Sequence, residues 1–357
     1  MAKFNTLRIK DIHRETADCV SVAFEIPEHL KSEYKFIQGQ YITLKRLFNG
    51  EDVRRSYSIC SSPITENELR VAVKEVPGGK FSTWLNREAK VGDTLEVMPP
   101  MGNFYSEMNI NNAKHYVLFA GGSGITPMYS ILKTVLAAEP KSTVTLFYAN
   151  RNEESIIFKN GLKEIEEKNS NRFKVYHILD SAPTGHADLY KGILTKDKVK
   201  ALIENHVGIN LNNEFFICGP TPMMDNVREV LEELKVDKNK IHIEYFTAQE
   251  AKPAEKSVST GGVIESKVTI IMDGVETTIN LASNGKTILD AAMDAGLDAP
   301  FACKGAVCCT CKAKVLNGSV SMDMNYALTD DEVAEGYILT CQAHPQSPEV
   351  TVDYDVL

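Results

Sequence analysis

Four cysteines crowd the stretch FACKGAVCCTC at residues 301–311, and a fifth, Cys341, follows thirty residues beyond the last of them. Thiols at this density form disulfides, hold a metal ion or ligate a cluster. Cys303, Cys308 and Cys311 are spaced C-x4-C-x2-C, and Cys341 comes after 29 intervening residues. That is the ligand spacing of a 2Fe–2S cluster, three thiolates from one tight loop and a distant fourth. Zinc more often takes paired C-x2-C knuckles, of which only one is present; a zinc or purely structural role is the alternative. The small residues Ala302, Gly305 and Ala306 let backbone N–H groups approach the sulfurs. Cys309 breaks the spacing and is read as a small buried filler, with a reserve ligand or an oxidisable thiol as the other options.

A cluster that moves single electrons needs a donor. NAD(P)H releases two at once as hydride, so a flavin must stand between them. RRSYSICSSP (54–63) puts a cation, an aromatic ring and hydroxyls on one strand, and alternation sends Arg55 and Tyr57 to one face and Ser56 and Ser58 to the other. Arg55 suits a pyrophosphate, Tyr57 a stacked isoalloxazine ring and Ser58 a hydrogen bond at the ring's reactive edge, although a strand tyrosine is commonly core. GGKFST (78–83) at a helix start is a second anion site. FYANRNEES ends a strand with Arg151 and no acid before Glu153, which favours the 2′-phosphate of NADPH over NADH; the alternative is Arg151 stacked on adenine in either cofactor.

The elements that must position these groups fall into three blocks. Up to about residue 108, short alternating runs such as CVSVAFEIP and ELRVAVKEV suggest an antiparallel barrel, and Ser82 or a neighbour is expected to cap one short helix. From about His115 the order becomes HYVLFA strand, GGSGITP turn, MYSILKTVLAA helix, TVTLFYA strand, IIFKNGLKEIEEK helix, FKVYHIL strand, EFFICG strand and PTPMMDNVREVLEEL helix. This rhythm predicts a doubly wound parallel sheet. AQEAKPAEKSVSTGG lacks an apolar period and is read as a linker. The last block opens with two strands joined by Asp273-Gly274, a hairpin signal, continues with a helix ending on Gly296, and closes on VTVDYDV.

The expected layout is therefore an antiparallel β-barrel FAD domain (1–110), an α/β doubly wound nucleotide-binding domain (111–248), a linker (249–262) and an α+β domain that carries the cysteines (263–357). The 357 residues carry a net charge of −9. From Val263 onward there are 14 acidic residues, 5 lysines and no arginine, so the whole imbalance lies in the cysteine block. Nucleic-acid binding is disfavoured because it needs a basic footprint, whereas an acidic module suits docking to a basic face of a protein partner. A solvated acidic surface is the plainer reading. No run is apolar for long enough to span a membrane and the N-terminus has no secretory pattern, so a cytoplasmic protein is expected.

From about residue 263 onward, the hairpin, helix, cysteine loop and late Cys341 resemble plant-type ferredoxins in order and spacing, which implies an α+β β-grasp ferredoxin-type domain that carries single electrons. RxYS, GGxFS, GGxGITP and CGP occur in sequence over residues 5–246, and together they resemble the ferredoxin–NADP reductase superfamily. That resemblance implies that Arg55, Ser56, Tyr57, Ser58, Val73, Lys74, Gly79, Lys80, Phe81, Ser82 and Thr83 hold FAD. It likewise implies that Gly121, Gly122, Gly124, Ile125, Thr126 and Pro127 take the dinucleotide's pyrophosphate, with Arg151, Cys218, Gly219, Pro220, Met223 and Phe246 completing the cofactor sites. The turn is G-G-x-G and not the G-x-G-x-x-G fingerprint. Ser58, Cys218 and Glu244 are the implied catalytic residues. The domain order is similar to reductase components of bacterial oxygenases, and the CKGxVCCTC loop and YxNR strand end to those serving di-iron enzymes. This implies an electron-transfer enzyme running from NADPH through FAD and the cluster to a di-iron oxygenase component. The alternatives are another oxygenase or a hybrid-cluster protein as acceptor, or a flavin and iron–sulfur redox sensor.

Overall fold

The computed structural model describes residues 3–246 and 262–356; of the linker expected at 249–262, all but Gly262 lies outside the described residues. Alternating apolar residues build six strands, β1 (Asn5–Thr16), β2 (Cys19–Glu25), β3 (Tyr41–Phe48), β4 (Glu51–Ser58), β5 (Leu69–Lys74) and β6 (Thr94–Val97). They lie antiparallel in the order β4–β3–β6–β1–β2–β5. A bridge between Ile59 and Val71 joins the two ends, closing the sheet around Leu7, Ile9, Val22, Ile42, Leu44 and Val71. Helix α1 (Lys80–Arg87) turns Phe81, Trp84 and Leu85 into this core. Its N-cap is Gly79 and not Ser82, which stands inside the first turn and accepts the Val76 N–H at 3.1 Å.

The second block is a five-stranded parallel sheet of β7 (His115–Gly121), β8 (Thr143–Asn150), β9 (Phe173–Leu179), β10 (Asn213–Cys218) and β11 (Ile241–Glu244), ordered β11–β10–β7–β8–β9. Helices α2 (Ile125–Ala138) and α3 (Lys159–Lys168) cover one face, and α4 (Lys196–His206) and α5 (Thr221–Glu233) the other. The strand order reverses between β7 and β10, which opens a crevice beyond their carboxyl ends. Two details differ from expectation. Helix α2 starts at Ile125, so Ile125, Thr126 and Pro127 are its first turn and not a loop; proline fits there because a first-turn position needs no intrahelical N–H bond. Helix α4 was not anticipated, although Thr195 caps it and Val199, Leu202 and Ile203 give it a buried face.

The third block contains β12 (Glu265–Met272), β13 (Val275–Ala282), α6 (Ile288–Asp294), β14 (Lys312–Asn317), β15 (Val320–Met322), α7 (Asp330–Ala334), β16 (Tyr337–Leu339), β17 (Ala343–Pro345) and β18 (Glu349–Asp353). Its main sheet runs β13–β12–β18–β14–β16, with β18 parallel to β12, and β15 pairs with β17. Asp273 and Gly274 both take positive φ, 52° and 72°, as a tight two-residue hairpin requires. The Asp355 carboxylate accepts both of their N–H groups, at 3.0 and 2.8 Å. Among the described residues no helix is long and apolar enough to cross a membrane.

Candidate functional site

The crevice of the parallel sheet is made by two turns pressed together. A Cβ on Gly124 would lie 2.1 Å from the Cys218 carbonyl oxygen, one on Gly121 2.5 Å from Pro220 Cδ, and one on Gly219 2.7 Å from Met223 Cε. These glycines are required by the backbone approach of GGSG to CGP. Gly122 is different: it has φ 51° and nothing within 4 Å of a Cβ, so its surface is open. Tyr148 steadies it by donating to the Gly122 carbonyl at 3.0 Å, and the Thr126 hydroxyl donates to Ser123 O at 3.0 Å. Helices α4, α6 and α7 are capped by Thr195, Thr287 and Thr329, whereas α1, α2 and α5 begin on Gly79, Gly124 and Pro220 with no side-chain cap, as does α3 on Phe158. Uncapped N–H groups and the helix dipole at α2 and α5 fit phosphate oxygens. Arg151 lies beyond β8 and is 70% exposed at its side chain; it pairs with Asp18 of the barrel at 3.2 Å.

Alternation on β4 works as expected. Val53 and Tyr57 belong to the barrel core, where Tyr57 lies 6.1 Å from Phe81, and Arg55 is exposed on the same side. Ser56 and Ser58 face outward, Ser56 3.1 Å from the Thr43 hydroxyl. Phe81 and Val73 have their side chains in the core, so they present only backbone to a ligand. Lys80 is paired with Glu51, and Lys74 lies 3.7 Å from Asp18. Gly79 accepts the Thr83 N–H at 3.1 Å. The open N-terminus of α1 and the exposed guanidinium of Arg55 each suit a flavin pyrophosphate.

Three residues from separate elements meet at the carboxyl end of the crevice. Ser58 donates to Glu244 Oε2 at 3.0 Å, and Glu244 pairs in register with Cys218 on the neighbouring strand. Burial pushes the Glu244 carboxyl up to about 8, against a smaller downward pull from the Ser58 hydroxyl. Burial, with the Glu244 charge adding to it, holds the Cys218 thiol well above the ordinary range. Phe246 stands apart, 41% exposed.

In the cysteine loop Lys304 and Ala306 adopt positive φ, 50° and 63°, which turns successive N–H groups inward. Gly305 donates to Cys303 Sγ at 3.3 Å, Gln342 Nε2 to Cys341 Sγ at 3.6 Å, and the Ala306 N–H also reaches Cys341. The thiols fall into two pairs: Cys308 lies 3.1 Å from Cys303, and Cys311 hydrogen-bonds Cys341. Within each pair the hydrogen bond from the partner thiol holds Cys308 and Cys341 below the ordinary thiol range. Among the described residues no three His, Cys, Asp or Glu side chains converge as ligands of one metal ion. Two thiol pairs ringed by N–H donors fit a two-iron cluster better than a single zinc. Cys309 is buried in the module's core and donates to Ala327 O at 3.3 Å; burial pushes its thiol up to about 12.

The cluster loop lies directly on the barrel. Tyr41 OH accepts the Cys309 N–H at 2.8 Å, Thr43 and Thr310 hydroxyls are 3.3 Å apart, and Asn103 donates to Glu332 at 2.9 Å. A cleft of about 210 Å³ between the three blocks is lined by Tyr41, Glu244, Tyr245, Cys308 and Tyr326, among others. Tyr41, Thr43, Thr310 and Arg54 were not anticipated. For Arg54 the one available signal was its place beside Arg55 on a strand with alternating faces.

A barrel with an open helix N-terminus, a parallel sheet with a nucleotide crevice and a cluster-type β-grasp module together define a pyridine-nucleotide-dependent flavin and iron–sulfur oxidoreductase. Comparison with known proteins agrees. Residues 6–105 match the oxidoreductase FAD-binding domain family, 118–229 the oxidoreductase NAD-binding domain family and 270–346 the 2Fe-2S iron-sulfur cluster binding domain family. The chain is 40% identical to one of the subunits of 1,2-phenylacetyl-CoA epoxidase from Escherichia coli K12, covering 99% of each. It is 35% identical to the ferredoxin reductase component of 3-ketosteroid-9-alpha-monooxygenase from Mycobacterium tuberculosis, covering 98% of this chain and 95% of that one. In fold it is similar to phthalate dioxygenase reductase, with a TM-score of 0.59 at 23% identity over 98% of both chains. The chain belongs to the family of oxygenase reductase components that join FAD-binding, NAD-binding and 2Fe–2S domains.

Proposed function

We propose that this protein is the reductase subunit of a phenylacetyl-CoA epoxidase, acting in the cytoplasm in phenylacetate breakdown and passing electrons from NADPH to a di-iron oxygenase component. The observation that carries this reading is end-to-end similarity to the Escherichia coli epoxidase chain, at 40% identity over 99% of both. The three units run over 1–110, 111–248 and 263–357, joined by 249–262.

When bound, FAD supplies conversion of a hydride into single electrons, and the cluster supplies their onward relay. The protein's own groups position and protect these steps. The N-terminus of α1, with Gly79, Ser82 and Thr83, holds the flavin pyrophosphate beside Arg55, while Tyr57 flanks the ring and Val73, Lys74, Lys80 and Phe81 contribute backbone and edge contacts. The turn Gly121–Pro127 and the Gly219–Pro220–Met223 turn seat the dinucleotide, and Arg151 faces its 2′-phosphate once released from Asp18. Ser58 and Glu244 share a hydrogen bond at the crevice mouth, where Glu244 holds a proton near neutral pH and Cys218 backs them from the next strand. Cys303, Cys308, Cys311 and Cys341 ligate the cluster. Purified protein is expected to be brown, with iron, labile sulfide and FAD near 2:2:1. NADPH is expected to reduce it faster than NADH, and mixing with the epoxidase subunits to restore phenylacetyl-CoA turnover. Zinc without sulfide would end the proposal. Activity with a steroid or betaine oxygenase and none with the epoxidase would reassign the acceptor.

A further inference from the structure

The outer face of β3 and β4 serves something other than the barrel. In register, Tyr41 opposes Ser58, Thr43 opposes Ser56 and Lys45 opposes Arg54, and these alternate residues all point away from the barrel core. The ferredoxin module covers this stripe. At its far end is Arg54, only 4% exposed although it is an arginine on the outside of a barrel. Its Nη2 donates to Asp298 Oδ1 at 2.7 Å and to Asp52 Oδ2 at 2.9 Å, its Nε to Asp52 Oδ1 at 3.2 Å, and its Nη1 to the Ala299 carbonyl at 3.5 Å. The guanidinium also stacks 4.2 Å from the Phe301 ring. Asp298, Ala299 and Phe301 form the approach to the cluster loop, which begins with Cys303.

A buried guanidinium needs its donors satisfied, and among the described residues of its own domain Arg54 finds one hydrogen-bond acceptor, Asp52, beside the Phe4 ring at 5.3 Å. The remaining acceptors come from the module, so the hydrogen bonding of Arg54 is complete only when the module is seated. The other contacts across the stripe are few: two polar ones, the Tyr41 hydroxyl on the Cys309 N–H and the Thr43–Thr310 pair, and a small apolar patch of Tyr41, Met101, Ala302, Cys303 and Cys308. An interface of this kind resembles a transient contact more than a domain core. Its orientation must then come from its directional bonds, and the two from Arg54, to Asp298 and the Ala299 carbonyl, are the ones made by a buried charge.

We propose that Arg54 is the positioning residue for internal electron transfer: it latches residues 298–301 to β4 so that the cluster loop seats on Tyr41 and Thr43 of the neighbouring strand, while Arg55 and Tyr57 lie on the opposite face of β4. The RRSYS strand is thus two-sided, with alternate residues serving different modules. The electron-transfer part of this inference rests on the proposed function; the latch does not.

The test uses the full chain carrying Arg54→Gln, Arg54→Lys or Asp298→Asn. Amide exchange across residues 298–311 is expected to rise about tenfold in Arg54→Gln and about twofold in Asp298→Asn, with or without bound cofactors. In loaded protein followed by stopped flow, flavin bleaching by NADPH keeps its rate, while cluster bleaching slows about tenfold in Arg54→Gln. Arg54→Lys restores only part of it, because an ammonium cannot reproduce the planar fork. Asp298→Asn alters a side chain that is 76% exposed, so it guards against a misfolded Arg54 variant. Wild-type exchange in both Arg54→Gln and Asp298→Asn, cluster bleaching at the wild-type rate, or equal slowing of flavin and cluster overturns the proposal. If wild-type protein carries no FAD or cluster, the proposed function fails, and the exchange arm still reads the latch.

Discussion

The β7–α2 turn and the cluster loop are both built from small residues and both point backbone N–H groups at a ligand, yet they are held by opposite means. In the first, Gly121, Gly124 and Gly219 let two backbones touch, so the turn is shaped by packing whether or not a dinucleotide is present. In the second, Lys304 and Ala306 sit in the left-handed region without being glycine, at a cost of about 1 kcal/mol each. That conformation is supported by hydrogen bonds to sulfur and, in the loaded protein, by the metal–thiolate bonds. One site is preformed and the other is completed by its ligand.

The comparison breaks most severely at Gly124. A methyl group there meets the Cys218 carbonyl at 2.1 Å, and a backbone atom cannot yield as a side-chain tip can. Gly124→Ala should cost about 3 kcal/mol of nucleotide-domain stability, measured by urea unfolding with and without NADPH. A loss below about 1 kcal/mol would mean that packing does not hold the turn.

The cluster loop is broken by its ligands. Cys308→Ser should abolish the visible cluster spectrum and drop iron and sulfide towards zero, while the FAD content stays intact. Cys309→Ser should keep both, because Cys309 Sγ bonds Ala327 inside the module core. Loss of colour in the second variant would reverse the ligand assignment.

Between the two sites stands Glu244. Its folded carboxyl titrates near 8 against an ordinary 4.5, so between those values the folded state retains a proton that the unfolded state releases. Stability therefore falls as pH rises through that window, by at most about 1.4 kcal/mol per pH unit from this group. Glu244→Gln should flatten the slope, and Ser58→Ala should push the carboxyl higher still, since the Ser58 hydroxyl favours its ionised form. Denaturant midpoints across the window test both; an unchanged slope in Glu244→Gln would remove Glu244 as its source.

The smallest effect separates φ from space. Gly122→Ala meets no atom but forces alanine to φ 51°, so it should cost about 1 kcal/mol, well below Gly124→Ala. Equal losses at the two positions would erase the distinction between open and packed glycines.

Much of this was legible in the chain. The barrel strands, the Asp273-Gly274 hairpin and the parallel rhythm after His115 follow from local periodicity and turn chemistry, which act over a few residues. Helix α4 carried its signal too, with Thr195 as a cap and Val199, Leu202 and Ile203 on one face, but polar residues dilute it. Ser82 does not cap α1, because its hydroxyl accepts the N–H of Val76, outside the helix, and the neighbouring Gly79 stands at the cap position instead. Arg54 and Arg55 are neighbours of the same type, and alternation separates their faces without saying what covers either.

Sequence alone determined the chemistry: four thiols at cluster spacing, glycine-rich turns ahead of helices, and a strand that presents different residues to its two sides. These are properties of residue type and short-range order. The tertiary structure decided which glycines are needed for φ and which for contact, that Ser58 and Glu244 meet across 186 residues, and that Arg54 is buried by a module 244 residues away. Such pairings depend on how separately folded units dock, and no local pattern encodes that.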